Sequence, residues 1–225
     1  RKLTDHAIRR YFSQPNYWRI EGKPYFSIYE LMTFVKGVGG ERNARAALDD
    51  FRARARAAGL PGVHINAVAF GVKPDSLIQT LGIDSVTSYC WLHHAQPKQF
   101  PETSYAGFRE ESLLMWPKLA ARYPVPYFPN VSMGWDSTPR TEQNIPFRMA
   151  PYPYTPVLAD NTPAEFRKSL EAVKTYLDRS GGPKIFTVNA WNEWTEGSYL
   201  EPDRQHGMAY LEAIRDLFLP AKPGK

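Results

Sequence analysis

One cysteine, Cys90, stands in a chain of 225 residues. That scarcity excludes an intramolecular disulfide framework and any cysteine-rich metal centre. Cys90 lies in an apolar run and reads as a buried free thiol. No stretch of about 18 apolar residues occurs, so no membrane-spanning helix is expected. Histidine is also scarce, at five residues. Two of them, His93 and His94, are adjacent; neighbouring side chains point apart, and no third ligand is spaced for zinc. Neither a metal nor a cofactor is expected. Internal repeats at solenoid periods and low-complexity segments are absent. The net charge is +5, yet no nucleic-acid-binding module accompanies it. The densest basic group, Arg42, Arg45, Arg52, Arg54 and Arg56, falls in a helical pattern that spreads it over a solvated face, so nucleic acid is not an expected partner.

Aromatic residues are plentiful, at 14%, and there are 20 prolines. Both suit a loop-rich protein that handles flat ligands. The length suits one domain with a sizeable core, and residues 1–225 read as a single domain.

The chain is organised around the stretch from Lys184 to Asp203. Ile185, Phe186, Thr187 and Val188 form an apolar strand behind Gly181, Gly182 and Pro183. Acids, amides and indoles follow abruptly: Asn189, Trp191, Asn192, Glu193, Trp194, Glu196, Tyr199 and Glu201. An apolar strand that runs out into such groups has the form of an active site at a strand's carboxyl end. Glu193 and Glu196 are three apart. A continuing strand would send them to opposite faces, whereas a turn brings Cα atoms at that spacing within about 7 Å. Gly197 supplies the backbone freedom for such a turn. Two carboxylates in unlike surroundings split their pKa values into a base and an acid, the equipment for cutting a glycosidic bond. The alternative is a surface turn with two solvated acids; three large aromatics beside it argue for a pocket.

In chain order, a helix is expected at 3–12 with the stripe Leu3, Ala7, Ile8, Tyr11 and Phe12. A loop with a turn at Glu21-Gly22 leads to a strand at 25–29. A helix at 41–58 carries Leu48, Phe51, Ala55 and Ala58, with Gly59 just beyond. Strands at 63–70 and 83–89 flank a short helix near 75–81. A helix at 106–122 is expected to kink at Pro117, and a strand at 126–131 leads into the proline-rich loop 141–161, which carries Tyr152 and Tyr154. At 163–179 a helix is marked by a capping box of Thr162 and Glu165, by Pro163 at its first position and by the stripe Phe166, Leu170, Val173 and Leu177. After the strand 184–190, a last helix over 205–218 is expected to bury Met208, Leu211, Ile214 and Phe218. Alternating strands and helices imply parallel strands with helical crossovers. The parent is a (β/α)8 barrel of the TIM type, of which this chain holds about five β/α units, the carboxyl-terminal part; the alternative is a smaller α/β sheet.

Three strand ends carry candidate ligand-binding side chains, and a parallel barrel would gather them on one rim. The third strand ends at Tyr89, Trp91, His93 and His94, the fourth at Trp135, Asp136 and Arg140, and the fifth at the two glutamates. For His93 and His94 the choice is between exposed loop residues and sugar-binding groups. Asp136 and Arg140 form either a structural ion pair or part of the pocket.

The segment Asn189-Ala-Trp-Asn-Glu-Trp-Thr-Glu-Gly-Ser-Tyr-Leu-Glu-Pro-Asp203 closely resembles the signature of glycoside hydrolase family 99-like proteins, including the WbsX-type proteins found with bacterial polysaccharide gene clusters. Gly134-Trp-Asp-Ser-Thr-Pro-Arg140 and Asn16-Tyr-Trp-Arg-Ile-Glu-Gly-Lys-Pro24 resemble two further signatures of that group. The resemblance implies a preceding region with the first barrel strands, so the missing part of its own barrel is an expected partner. By resemblance to the family 99 endo-α-mannosidases, Glu193 is the base acting on the sugar's own 2-hydroxyl, through a 1,2-anhydro intermediate, and Glu196 is the general acid. Trp135-Asp136-Ser137 stands where those mannosidases tend to have Tyr-Asp-Asp, a departure that bears on mannose specificity while keeping one acid, Asp136, for substrate hydroxyls. The resemblance implies a retaining glycosidase acting on an α-linked oligosaccharide or polysaccharide, with Trp191, Asn192, Trp194, Tyr199, Glu201, Trp135, Asp136, Arg140, Tyr89, Trp91 and His93 around the substrate. The alternatives are a glycosyltransferase or transglycosylase of polysaccharide assembly, against which the acid pair argues, and a non-catalytic carbohydrate-binding protein.

Overall fold

Strands form at all five expected places, with shifted bounds. The computed structural model describes residues 1–219, which gather into two compact units: Arg1–Thr87 with Leu119–Tyr127, and Ser88–Lys118 with Phe128 onward.

In the first unit, Lys23–Ile28, His64–Val68 and Ser85–Thr87 lie parallel, with Tyr25 opposite His64 and Ala67 opposite Val86. Arg19–Ile20 adds an antiparallel edge through the turn at Glu21-Gly22, where both residues have positive φ. Tyr127–Phe128 stands at the other end of the order. The helix Glu41–Ala57 buries Ala44, Leu48, Phe51 and Ala55, which recur at steps of four and three. Phe12 and Phe26 pack their rings on Phe51 at 5.9 and 5.2 Å. The solvated face of that helix carries the arginines. Arg45 pairs with Asp49 at 2.7 Å, Arg52 with Asp84 at 2.8 Å, and Arg54 with Asp50 at 3.0 Å as well as with Asp5. Three of the five arginines in the densest basic group are thus paired with acids in place.

Three details of this unit differ from expectation. Ala58, expected in the buried stripe, follows the last helical residue and is exposed. The first helical stretch, Lys2–Ala7 continued by Ile8–Phe12, buries Ala7, Ile8 and Phe12 but leaves Leu3 and Tyr11 exposed. A further helix forms at Leu31–Gly37, where the burial of Leu31 and Val35, one turn apart, overrides the weak helix propensity of Thr33 and Val35.

In the second unit, two parallel pairs form: Glu102–Ser104 with Val157–Ala159, and Asn130–Ser132 with Thr187–Asn189. The strand Val157–Ala159 lies within the expected loop. The helix expected over 106–122 breaks into Tyr105–Leu113 and Met115–Arg122. Pro117 has no N–H for the Leu113 carbonyl, and its ring crowds that carbonyl. Pro129 likewise splits the fourth strand in two. Trp91, Tyr105, Phe108, Trp116 and Phe166 fill the core.

The helix Pro163–Ser180 buries the expected stripe, with Gly181 left-handed at its end. Thr162 accepts a hydrogen bond from the Glu165 N–H at 3.3 Å. The reciprocal half of the capping box is replaced: the Glu165 carboxylate goes to Arg109 at 2.6 Å and to Lys168 at 2.5 Å, two cationic donors in place of one uncharged N–H. Thr162→Ala is expected to lower stability by about 1 kcal/mol, read as a lower urea midpoint at unchanged slope. In the last helix, Ala209–Phe218, the buried residues are Tyr210 and Ala213, and Met208 is exposed outside its first turn.

The described strands are hydrogen-bonded in four separate sheets rather than one closed ring. Among the described residues, no helix is long and apolar enough to cross a membrane.

Candidate active site

The site grows from the paired strands Asn130–Ser132 and Thr187–Asn189. Ser132 stands opposite Asn189, and the Met133 N–H donates to the Asn189 carbonyl at 3.0 Å, so the two strands end level. Asn130 donates to Thr187 and accepts from Ser132, which makes the shared face polar, while Val131 is buried on the other. Each strand then releases one of the two motif segments.

Beyond Ala190 and Trp191 the chain folds into a hairpin. Asn192–Glu193 pairs with Ser198–Tyr199, Glu193 lying opposite Ser198. A tight turn, Trp194–Glu196, joins the strands, so the two glutamates sit at one end of the hairpin rather than on opposite faces of a strand. Gly197 closes the turn at φ +58. A Cβ there would lie 2.8 Å from Asp136 Cβ and 2.9 Å from Asp136 N, because the Asp136 N–H donates to the Glu196 carbonyl at 2.6 Å. Gly134 is equally confined: its Cβ would meet the Asn161 amide at 2.3 Å and the Gly197 carbonyl at 2.6 Å. Gly197→Ala is therefore expected to cost about 1–3 kcal/mol in urea unfolding. Asn, which tolerates left-handed backbone, is not expected to rescue the position, since the clash with Asp136 remains.

Arg140 binds both carboxylates. Its Nη2 meets Glu193 Oε2 at 2.7 Å, its Nη1 meets Glu196 Oε1 at 2.6 Å, and its Nε donates to Thr195 Oγ1 at 2.8 Å. Asp136 does not pair with Arg140. Its Oδ1 accepts from the Thr138 N–H at 2.9 Å and the Thr138 hydroxyl at 2.7 Å, which shapes the turn that presents Arg140. Tyr152 completes the cluster: it accepts from Arg140 Nη1 and donates to Glu196 Oε1 at 3.0 Å.

The two carboxylates have unlike surroundings. Glu196 is 6% exposed, and burial pushes its pKa up; the Tyr152 hydrogen bond and the Arg140 charge oppose this, and the Glu193 charge adds to it. Glu193 is half-buried, its side chain 35% exposed. Trp194 stacks on Tyr199 at 3.8 Å and 15°, and its indole N–H donates to Glu201 Oε2 at 2.6 Å. Trp191, just before the hairpin, and Asn192, at its start, are exposed.

The third strand end contributes differently. Trp91 is 0% exposed: its indole donates to the Asn130 carbonyl at 2.9 Å, and its ring packs on Tyr105 and Phe108, so it offers no face to a sugar. Tyr89 lies 5.8 Å from the His93 ring. His93 and His94 are half-buried rather than exposed, and burial lowers each pKa to about 4, which keeps both neutral at pH 7. The Cys90 thiol is pushed up to about 12, first by burial and also by the charge of Glu196, which brings this segment within electrostatic reach of the acid pair. Trp135 is buried, donating to Thr155 at 2.9 Å with its ring 6.3 Å from Tyr152; it braces the loop that carries Tyr152.

A family model for glycosyltransferase WbsX matches residues 2–214. The chain belongs to the glycosyltransferase WbsX family. The chain is also similar to proteins described as uncharacterized protein WxcX from two strains of Xanthomonas campestris pv. campestris, 25% identical over 221 and 219 residues, or 92% of this chain. The chain spans 28% of the length of those relatives. Among solved structures it resembles a glycoside hydrolase-like protein at TM-score 0.59 and 18% identity, covering 98% of this chain and 59% of that one. It also resembles the GH99 endo-α-mannosidase of Bacteroides thetaiotaomicron, at TM-score 0.54 and 18% identity with bis-tris-propane bound, covering 89% of this chain and 54% of that one. A second structure of that mannosidase gives 0.53. The fold of this family member is thus of the α/β, (β/α)8-barrel class.

Proposed function

We propose that this chain carries the acid–base pair of a glycan-active enzyme, a retaining glycosidase for an α-linked oligosaccharide or polysaccharide. The reading rests on one observation above others: a single guanidinium holds two carboxylates of unlike burial, Glu193 half-exposed and Glu196 enclosed. In this reading Glu193 takes the proton of the sugar's 2-hydroxyl, whose oxygen closes on C1. Glu196 protonates the departing oxygen and then draws a proton from the water that opens the 1,2-anhydro ring. Trp191 and the Trp194–Tyr199 stack supply aromatic faces for sugar rings.

The test is digestion of a panel of α-linked glycans without any sugar nucleotide. Release of a shorter glycan of retained configuration is the expected result. The family's description as glycosyltransferases favours a second reading, transfer in polysaccharide assembly, and turnover only when a sugar-nucleotide donor is added would select it. Binding without turnover under either condition would leave a carbohydrate-binding protein.

A further inference from the structure

Tyr152 belongs to none of the three signature segments and is 51% exposed, yet its hydroxyl reaches the more enclosed of the two acids. We propose that Tyr152 is a positioning residue for Glu196: its hydroxyl, aimed by Arg140, confines the acid's proton to Oε2 and holds that oxygen toward the departing group. The proposal rests on the glycosidase reading for its chemistry and on hydrogen-bond direction for its geometry.

The direction follows from the donor inventory. Arginine has N–H donors and no acceptor, so in the Arg140–Tyr152 contact the phenol oxygen must accept. The phenol's one hydrogen is then left for Glu196 Oε1, at 3.0 Å. Arg140 Nη1 donates to the same oxygen at 2.6 Å. A carboxylic acid whose Oε1 faces two donors carries its proton on Oε2, since a proton on Oε1 would confront two others. During reaction the Oε2–H bond breaks and its proton passes to the glycosidic oxygen, which leaves with the C1–O electron pair as an alcohol. The 2-hydroxyl proton passes to Glu193 as its oxygen bonds C1. The negative charge appearing on Glu196 spreads to Oε1, where both donors already stand. Water then gives Oε2 a proton and C1 a hydroxyl, and the 2-oxygen recovers its proton from Glu193.

The loop holds Tyr152 in this place. Ser137 donates to the Pro153 carbonyl at 2.6 Å, Trp135 donates to Thr155 at 2.9 Å, and Ser137 and Thr155 meet at 3.0 Å. The other ionisable groups around Glu196 are Arg140, Glu193, the neutral thiol of Cys90, and Asp136, which is tied to Thr138.

The test is Tyr152→Phe, which keeps the ring and removes the hydroxyl. Hydrolysis of a glycan with a sugar leaving group is expected to slow by roughly 10–100-fold, and hydrolysis of an activated aryl glycoside much less. Losing a donor to the carboxylate raises the Glu196 pKa, so the alkaline limb of the kcat/KM profile moves to higher pH. Equal losses on both substrates with an unmoved limb would show a structural role only and overturn the proposal. A carbon-13 carboxyl NMR titration, with the Glu196 signal identified by its loss in Glu196→Gln, reads the same coupling without substrate. An upward shift in Tyr152→Phe supports the contact even if no glycan is cleaved, and an unchanged titration sinks it whatever the activity.

Discussion

Glu196→Gln is expected to slow cleavage of a natural glycan by about 10²–10⁴-fold, and cleavage of an activated aryl glycoside far less. A sugar hydroxyl is a poor leaving group and needs its proton as the bond breaks, whereas a nitrophenolate leaves without one. The glutamine amide oxygen can still accept from Arg140 and Tyr152, so the hairpin should keep its shape and the difference should report the lost proton. Glu193→Gln should slow both substrates alike, because the 2-hydroxyl must be deprotonated whatever departs. The contrast is read from kcat/KM for each variant on each substrate. If Glu193→Gln spared the activated substrate and Glu196→Gln did not, the two roles would be exchanged.

The helix Pro163–Ser180 was legible because its signals are local: an N-cap threonine, a proline at the first position, an apolar stripe and a terminal glycine act within one or two turns. The Glu193–Glu196 turn was legible for the same reason, since Gly197 and the acid spacing lie in one short segment. Arg140 stands out in the sequence, but its partners lie 53 and 56 positions away, and the nearer acid, Asp136, is its natural sequence partner. Local order gave no sign that Thr138 would satisfy Asp136 and free Arg140 for the glutamates. Tyr152 was visible only as one aromatic in a proline-rich loop. Trp91 and Trp191 each follow a strand, yet one is sealed beneath Tyr105 and the other is exposed; packing from distant elements decides between them. Val157–Ala159 is three residues long, too short for a period to show.

A substrate carrying fluorine in place of the 2-hydroxyl is expected to leave no covalent adduct on the enzyme. Glu193 is proposed to act on the sugar's own 2-hydroxyl, and fluorine has no proton to surrender, so the ring closure onto C1 has no nucleophile. A carboxylate that attacked C1 directly would behave in the opposite way. Fluorine at C2 destabilises the oxocarbenium-like transition state and slows both formation and hydrolysis of an ester, and an activated leaving group restores formation, so the ester accumulates. Intact-mass measurement after incubation with an activated 2-fluoro glycoside distinguishes the two. The Arg140 contacts, 2.7 Å to one oxygen of Glu193 and 2.6 Å to one of Glu196, fit either role, because the shared cation holds the carboxylate in place whether it takes up a proton or attacks carbon. The decision therefore lies in the substrate's 2-position. A 2-deoxy glycoside should likewise fail to turn over while its 2-hydroxy parent is cleaved. A stable mass increase that maps to Glu193 would make that residue a nucleophile, and the neighbouring-group mechanism would be wrong even with the site correctly placed.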